Sequence, residues 1–198
     1  MACDLTMLEM ARDERAGFLR VYGWSEPTVS FGRNERTLGI FSPEALSAAG
    51  LAAVRRPTGG RALLHHREVT YSVAIPMEDD LRWQQAYRAV NELLQRALVG
   101  LGVPASLVES RKAGVREPQG LGGVEPSGVG LSEVCFSGIA QGELAVNGRK
   151  IVASSVWRER GAYLQHGSIP IFDDQTMLVA AFGGSIAPPE PAAVLSEW

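Results

Sequence analysis

A thiol at Cys135 precedes an amine at Lys150 by fifteen residues. The thiolate is the nucleophilic form of cysteine, so reactivity requires a nearby cation. Lys150 and His166 are the nearest candidates downstream of Cys135. Small residues follow Lys150, Ala153 and Ser154 among them, and let a substrate come close to the backbone. The blander readings are a cysteine acting as a small buried hydrophobe and a solvated strand lysine. Of 19 basic residues, only Lys112 and Lys150 are lysine. Where any cation serves, this chain uses arginine, so a lysine marks a place that needs an amine.

A second group is Arg55-Arg56-Pro57-Thr58-Gly59-Gly60-Arg61. Paired glycines let backbone N–H groups approach an anion, and the flanking arginines supply charge. A phosphate, a carboxylate or a thioester oxygen suits such a cradle; an ordinary turn between strands suits the same residues. His65-His66 follow. Neighbouring strand residues point to opposite faces, so one histidine faces a pocket and the other solvent. With three histidines and two cysteines in the chain, no zinc-type spacing occurs, and no metal site is expected.

The elements that must position these groups alternate irregularly between helix and strand. Residues 4–14 read as a helix with Leu5, Leu8 and Met7 or Ala11 on one face. Residues 17–23 and 28–32 read as short strands. Ser42-Pro43-Glu44 is a helix start and Gly50 its stop. Residues 52–56 form a strand into the Gly-Gly segment. In 68–76, Val69, Tyr71, Val73 and Ile75 share one face and Thr70, Ser72 and Ala74 the other, the pattern of a half-buried strand. A long helix spans about 80–101, its stripe running through Leu81, Tyr87, Val90, Leu93, Leu94, Ala97, Leu98 and Leu101 and closed by Gly102. Residues 109–130 are rich in Gly and Pro, as in a lid or disordered loop. Asn147-Gly148 marks a type I′ hairpin, and residues 151–157 continue its second strand. Residues 163–171 form another strand, Asp174 caps a short helix to Phe182 with Gly183 as its stop, and the tail from Pro188 frays. The class is α+β: a mixed, mostly antiparallel sheet with helices on one face. One domain is expected over 1–186, with a Pro/Ala-rich tail at 187–198.

The 198 residues suffice to bury a core without staples, and 45% hydrophobic content with 21% charge excludes wholesale disorder. A net charge of −3 argues against nucleic acid as partner. No run approaches a membrane span, and Met1-Ala2-Cys3-Asp4-Leu5 lacks a signal-peptide character. The two cysteines make no disulfide framework, so a cytoplasmic setting is expected.

Together these segments resemble the biotin/lipoate protein ligase family, and within it the cysteine-dependent octanoyltransferases of the LipM type. Met1-Ala-Cys-Asp4 is similar to the family's opening helix. Arg20 to Trp24 and Pro27 to Gly32 look like its early strand pair. Arg55 to His65, with Glu68-Val-Thr-Tyr-Ser72, is close to its octanoyltransferase signature. Gly148-Arg-Lys-Ile-Val-Ala-Ser-Ser155 and Leu164-Gln-His-Gly-Ser-Ile169 match two later blocks. Two details favour the transferase branch: Arg61 stands where ATP-dependent ligases carry a third glycine, and Cys135 stands where LipM-type enzymes place their acyl-carrying cysteine. Ala153-Ser154-Ser155 departs from the usual Gly-Ser-Ala.

The resemblance implies a class II aminoacyl-tRNA synthetase/biotin-lipoate ligase-like catalytic domain with a cleft at its sheet. It implies transfer of an octanoyl group from acyl carrier protein, through a Cys135 thioester, to a lysine of a lipoyl domain of 2-oxoacid dehydrogenases or of glycine-cleavage H protein. Lys150 would hold the thiolate and then take the proton of the incoming amine, and Ala153 and Ser154 would supply backbone N–H groups to the developing oxyanion. Substrate would be bound by Arg56, Gly59, Gly60, Arg61, His65, Tyr71, Ala153, Ser154, His166 and Gly167. Val69, Tyr71 and Ile151 would wall the acyl chain, and Arg55, Arg56, Arg61, Arg158 and Arg160 would form a patch for acidic carriers. No cofactor is expected. The alternatives are an amidotransferase between carrier proteins, the ATP-using catalytic part of a lipoate ligase, and a non-catalytic acyl- or biotin-sensing module.

Overall fold

The structure, a computed structural model, describes residues 1–35, 42–77, 82–109, 139–159, 161–181 and 190–198. Cys135, Leu81, Arg160, Phe182, Gly183 and residues 110–130 of the Gly/Pro-rich stretch lie outside the described residues.

The chain runs α1 (Ala2–Glu14), β1 (Phe18–Tyr22), β2 (Thr28–Phe31), α2 (Pro43–Ala48), β3 (Ala52–Arg55), β4 (Leu63–His65), β5 (Glu68–Pro76) and α3 (Trp83–Gly100). It continues through β6 (Ser106–Leu107), β7 (Leu144–Val146), β8 (Arg149–Lys150), β9 (Ala153–Glu159), β10 (Ala162–Pro170), α4 (Thr176–Ala181) and a 3₁₀ turn at Leu195–Glu197. A four-stranded antiparallel sheet has the order β1-β5-β10-β9. A three-stranded sheet, β3-β2-β4, holds a parallel pair between β2 and β3. A third sheet has the order β6-β7-β8. The class is α+β, as the sequence pattern implied.

Helices cover both faces of the four-stranded sheet, not one. Leu8 and Ala11 of α1 pack on Ala74, Ala162 and Leu164. Val90 and Leu98 of α3 pack on Tyr71 and Val73 from the other side. The alternation in β5 therefore holds, but the strand is buried on both faces rather than half-buried. Period-2 spacing says which residues share a face, not what covers that face. Leu93 on α3 and Leu101 just past its end are 47% and 73% exposed, and Asn91 takes a buried position instead.

Local signals specify the ends. The Ser42 hydroxyl accepts the Ala45 N–H at 3.1 Å and Pro43 opens α2. Asn147 and Gly148 both have positive φ, 51° and 76°, as a type I′ turn requires. The strand after that turn is not continuous: it breaks at Ile151-Val152, so β8 belongs to one sheet and β9 to another. Asp174 does not cap α4; its carboxylate takes the Arg67 guanidinium at 2.5 and 3.0 Å. Nor does the described part of the tail fray. Ala192, Ala193 and Val194 are buried, and the Ala193 N–H donates to the Lys150 carbonyl at 3.0 Å.

Candidate acyl cleft

A small, partly open cleft lies between the α1-covered face of the four-stranded sheet and the β3-β2-β4 sheet. Its floor carries Tyr22, Thr70, His166, Gly167, Ala153, Ser154 and Ser155, and its other wall Ser30, Arg56, Leu63 and His65. Residue types here are mostly polar, yet their polar atoms are turned to one another.

Two acid–imidazole–hydroxyl relays account for this. Glu68 Oε1 lies 2.7 Å from His65 Nδ1, and His65 Nε2 lies 2.7 Å from Ser30 Oγ. Trp24 stacks on the His65 ring, 4.4 Å between centroids and 17° from parallel, and donates its indole N–H to Thr70 Oγ1. Across the cleft, Asp4 Oδ2 lies 3.2 Å from His166 Nδ1, and His166 Nε2 lies 2.7 Å from Thr58 Oγ1. Burial holds His166 below the ordinary imidazole range against the pull of Asp4. Burial pushes Asp4 up, but its bonds with His166 and Ser72 outweigh that and leave it below the usual carboxylate range. A neutral His166 beside an ionised Asp4 puts the proton on Nδ1 and leaves Nε2 to accept from Thr58. His166 is therefore not the cation that a thiolate would need.

Arg56 clasps the Gly-Gly segment. It is 5% exposed and donates to the carbonyls of Ser30, Gly59 and Arg61 and to Ser30 Oγ, at 2.7–3.2 Å. Ser155 Oγ donates to the Gly59 carbonyl as well. Arg56 thus shapes the cleft but is removed from any surface patch. Arg55 donates to the Gly32 carbonyl at 2.7 Å but stays exposed at the surface. The Gly-Gly cradle leans on Gly32, where a Cβ would fall 1.9 Å from the Gly60 carbonyl oxygen, so only glycine fits.

Arg56, His65, Ala153, Ser154, His166 and Gly167 meet at the cleft as the sequence reading expected. Gly59, Gly60 and Arg61 support it from behind rather than lining it. Tyr71 is no cleft wall. It lies in the α3-side core with Val69 and Ile151, and its hydroxyl meets Ser154 Oγ at 2.8 Å. Burial pushes the Tyr71 phenol up to about 12. Gly167 is needed there because a Cβ would come 2.5 Å from the Ala153 carbonyl oxygen and 2.7 Å from the Tyr71 ring. The Ala153 and Ser154 amides cannot both serve an oxyanion: β9 pairs with β10 over these residues, and adjacent strand amides point to opposite edges. Arg158 packs over Trp83, 5.9 Å from the ring centre. His66 is half-buried, 3.1 Å from Asp174, rather than solvated.

Lys150 is buried and is not among the residues that line the cleft. Its Nζ donates to Glu143 Oε1 at 2.8 Å. From the same side a buried chain runs from Ser154 through Tyr71, Gln165 and Asn91 to the Gly142 carbonyl, every link 2.8–2.9 Å. Asp4, Glu68, Ser30, Thr58, Glu143, Gln165 and Asn91 were not singled out from sequence. Glu143 had a signal: Ala145 pairs with Lys150, so Glu143, two residues away, is a diagonal neighbour on the same face. Among the described residues, no group of three or more His, Cys, Asp or Glu is arranged to hold a metal, and no helix is long and apolar enough to cross a membrane.

An antiparallel sheet with helices packed on both faces is an architecture with solved counterparts. A lipoate-protein ligase A bound with ATP superposes with a TM-score of 0.72 at 21% identity, covering 100% of this chain and 70% of that one. A bi-partite lipoate protein ligase from Thermoplasma acidophilum, solved in a study that includes its E2 lipoyl domain, gives 0.67 at 17%, covering 100% and 69%. These likenesses concern the fold. The family model for the lipoyl protein ligase A/B catalytic domain matches residues 1–191, and the chain belongs to that family. The octanoyltransferase LipM of Kyrpidia tusciae is 41% identical over 186 residues, 91% of this chain and 64% of the relative. That of an Exiguobacterium species is 37% identical over 180 residues, 87% and 61%. The chain thus spans under two thirds of the length of these relatives.

Proposed function

We propose that this protein is an octanoyltransferase of protein lipoylation, moving an octanoyl group from acyl carrier protein to a lysine of a lipoyl domain or of glycine-cleavage H protein. The observation that carries the reading is the cleft. The polar atoms of His65, His166, Ser30, Ser154 and Ser155 all bond to protein neighbours, so the cleft presents carbon to an acyl chain. Family membership and the identity to octanoyltransferases over most of this chain support the same chemistry.

The Cys135 sulfur attacks the donor thioester carbon, the carbon–sulfur bond to the carrier breaks, and the carrier thiol leaves. The acceptor amine then attacks the new thioester, an amide forms, and Cys135 is released. A thioester is already activated, so the reading uses no ATP and no metal. Chain connectivity is compatible with this: five peptide units join Cys135 to Ala140, at most about 18 Å when extended, and Ala140 is bonded to Glu143, the partner of Lys150. The setting is the cytoplasm, where the acyl carrier protein and lipoyl domains would be the partners.

The test is the intact mass after mixing with octanoyl-acyl carrier protein without ATP. One octanoyl group should be gained, released by hydroxylamine and missing in Cys135→Ser. A protein that stays unmodified, yet lipoylates its acceptor when given ATP and free lipoate, overturns the transferase reading in favour of a ligase.

A further inference from the structure

The Gly-Gly segment was read from sequence as a cradle for an anion, and in the fold a carboxylate of the same chain sits against it. Glu35 lies just past β2 and is half-buried. One of its oxygens accepts the Gly32 N–H at 3.0 Å, and the other accepts the Ala62 N–H at 2.6 Å. Both oxygens accept, as those of an ionised carboxylate do. The charges of Arg56 and Arg55 act on the same group. Convergent backbone donors beside guanidinium groups make an anion-binding concavity.

This seat flanks the cleft. Ser30 and Leu63 pair across β2 and β4 and both line the cleft, and Gly32 and Ala62 lie close to them along the same two segments. The turn that carries Glu35 is tied down. The Arg33 N–H donates to the Thr58 carbonyl at 2.8 Å, and Arg55 donates to the Gly32 carbonyl. Burial pushes the Glu35 carboxyl up, against the pull of its two backbone bonds and the two arginines. Its charge is therefore held in place without being fully compensated.

We infer that Glu35 is a specificity-determining residue whose carboxylate fills an anion seat beside the cleft and excludes a phosphoryl group from it. A phosphoryl group would meet a like charge there and find both backbone donors taken, which is discrimination by repulsion. An uncharged thioester carbonyl meets no such penalty. The inference deepens the octanoyltransferase reading and rests on it for the donor: the cleft favours an acyl thioester over an acyl phosphate. The seat itself stands on the geometry of Glu35, Gly32 and Ala62.

Titration calorimetry at constant ionic strength, with inorganic phosphate and with AMP as probes, tests this. Glu35→Ala empties the seat and should bind inorganic phosphate at least about tenfold more tightly than the wild type. A gain with AMP alone means a nucleoside pocket rather than an anion seat and overturns the inference. Glu26 is exposed elsewhere on the chain, so Glu26→Gln removes one charge away from the seat and should gain nothing. An equal gain in Glu26→Gln makes the effect one of net charge and overturns the inference as well. Glu35→Gln covers a Glu35→Ala variant that fails to fold. Its amide keeps the side-chain volume without the charge, so a smaller gain is expected. Phosphate binding no tighter than in the wild type, in whichever of the two variants folds, makes Glu35 a structural clamp between strand ends and overturns its role in specificity. A wild-type protein that never takes an octanoyl group from acyl carrier protein overturns the transferase reading instead, and the phosphate comparison still decides the seat.

Discussion

The two faces of the four-stranded sheet handle buried polarity in opposite ways. On the α1 side the buried imidazole of His166 is neutral and linked between an acid and a hydroxyl. That side can therefore be built from polar residues and still present an apolar cleft. On the α3 side polarity is stored as an ion pair, Lys150 with Glu143, behind phenols and amides that pass hydrogen bonds but no charge. A buried pair is worth little against apolar packing, but breaking it is costly because one charge is left alone. The cleft side is the binding surface in the proposed function. The α3 side keeps a buried ion pair off the cleft lining.

Breaking the ion pair should have the largest effect. Lys150→Met leaves Glu143 buried and alone, and should cost about 3–5 kcal/mol of stability. Adding Glu143→Leu should recover most of that loss. Urea unfolding of both variants checks this, and equal stabilities would mean the α3 side does not store charge in the way described.

A smaller loss is expected at the cleft wall. Gly32→Ala forces a methyl group into the Gly60 carbonyl, and the loop must shift. Overpacking of this kind costs about 1–3 kcal/mol. It should also weaken retention of an octanoyl ligand, since Gly60 and Arg56 shape the cleft together. Calorimetric melting and octanoate binding measure the two effects separately.

The smallest effect sharpens the comparison through pH. His166 has its folded value below the ordinary 6.5, so the unfolded chain binds more protons in the window just below 6.5. Stability should therefore fall as pH drops through that window. Asp4 is lowered from 3.8, so its own contribution is lost only at lower pH, near and below that value. Melting temperatures at pH 7.5, 6.5 and 5.5 should decline in the wild type and decline less in His166→Asn. An unchanged slope would place the titration elsewhere.

Much of the fold was legible because local rules and tertiary structure agree. Ser42-Pro43 opens α2, Asn147-Gly148 turns the hairpin, and Val69 to Ile75 alternate as read. Helices on both faces were not legible. Alternation separates Tyr71 from Ser72, but says nothing about α3 covering one and α1 the other. The break at Ile151-Val152 was hidden for a similar reason. Both residues are apolar and strand-like, and only the sheets on either side of them require the chain to change partners. In the site, His65, His166, Arg56 and Lys150 were found because their residue types carry chemistry. Asp4, Glu68 and Glu143 were passed over because a lone acid in sequence reads as solvated surface.

The amino-acid sequence by itself determined the motifs, the strand and helix periods, and the family. These depend on neighbours a few residues apart and on ordered blocks along the chain. Only the tertiary structure decided that the arginine of the Gly-Gly segment turns inward, that Tyr71 leaves the cleft, and that the amine of Lys150 rests on Glu143. Those outcomes depend on which buried donors and acceptors find each other across 26 residues for Arg56 and Ser30, and across 162 for Asp4 and His166. A buried polar atom must be paired wherever its partner lies in the chain, and that pairing is settled by packing.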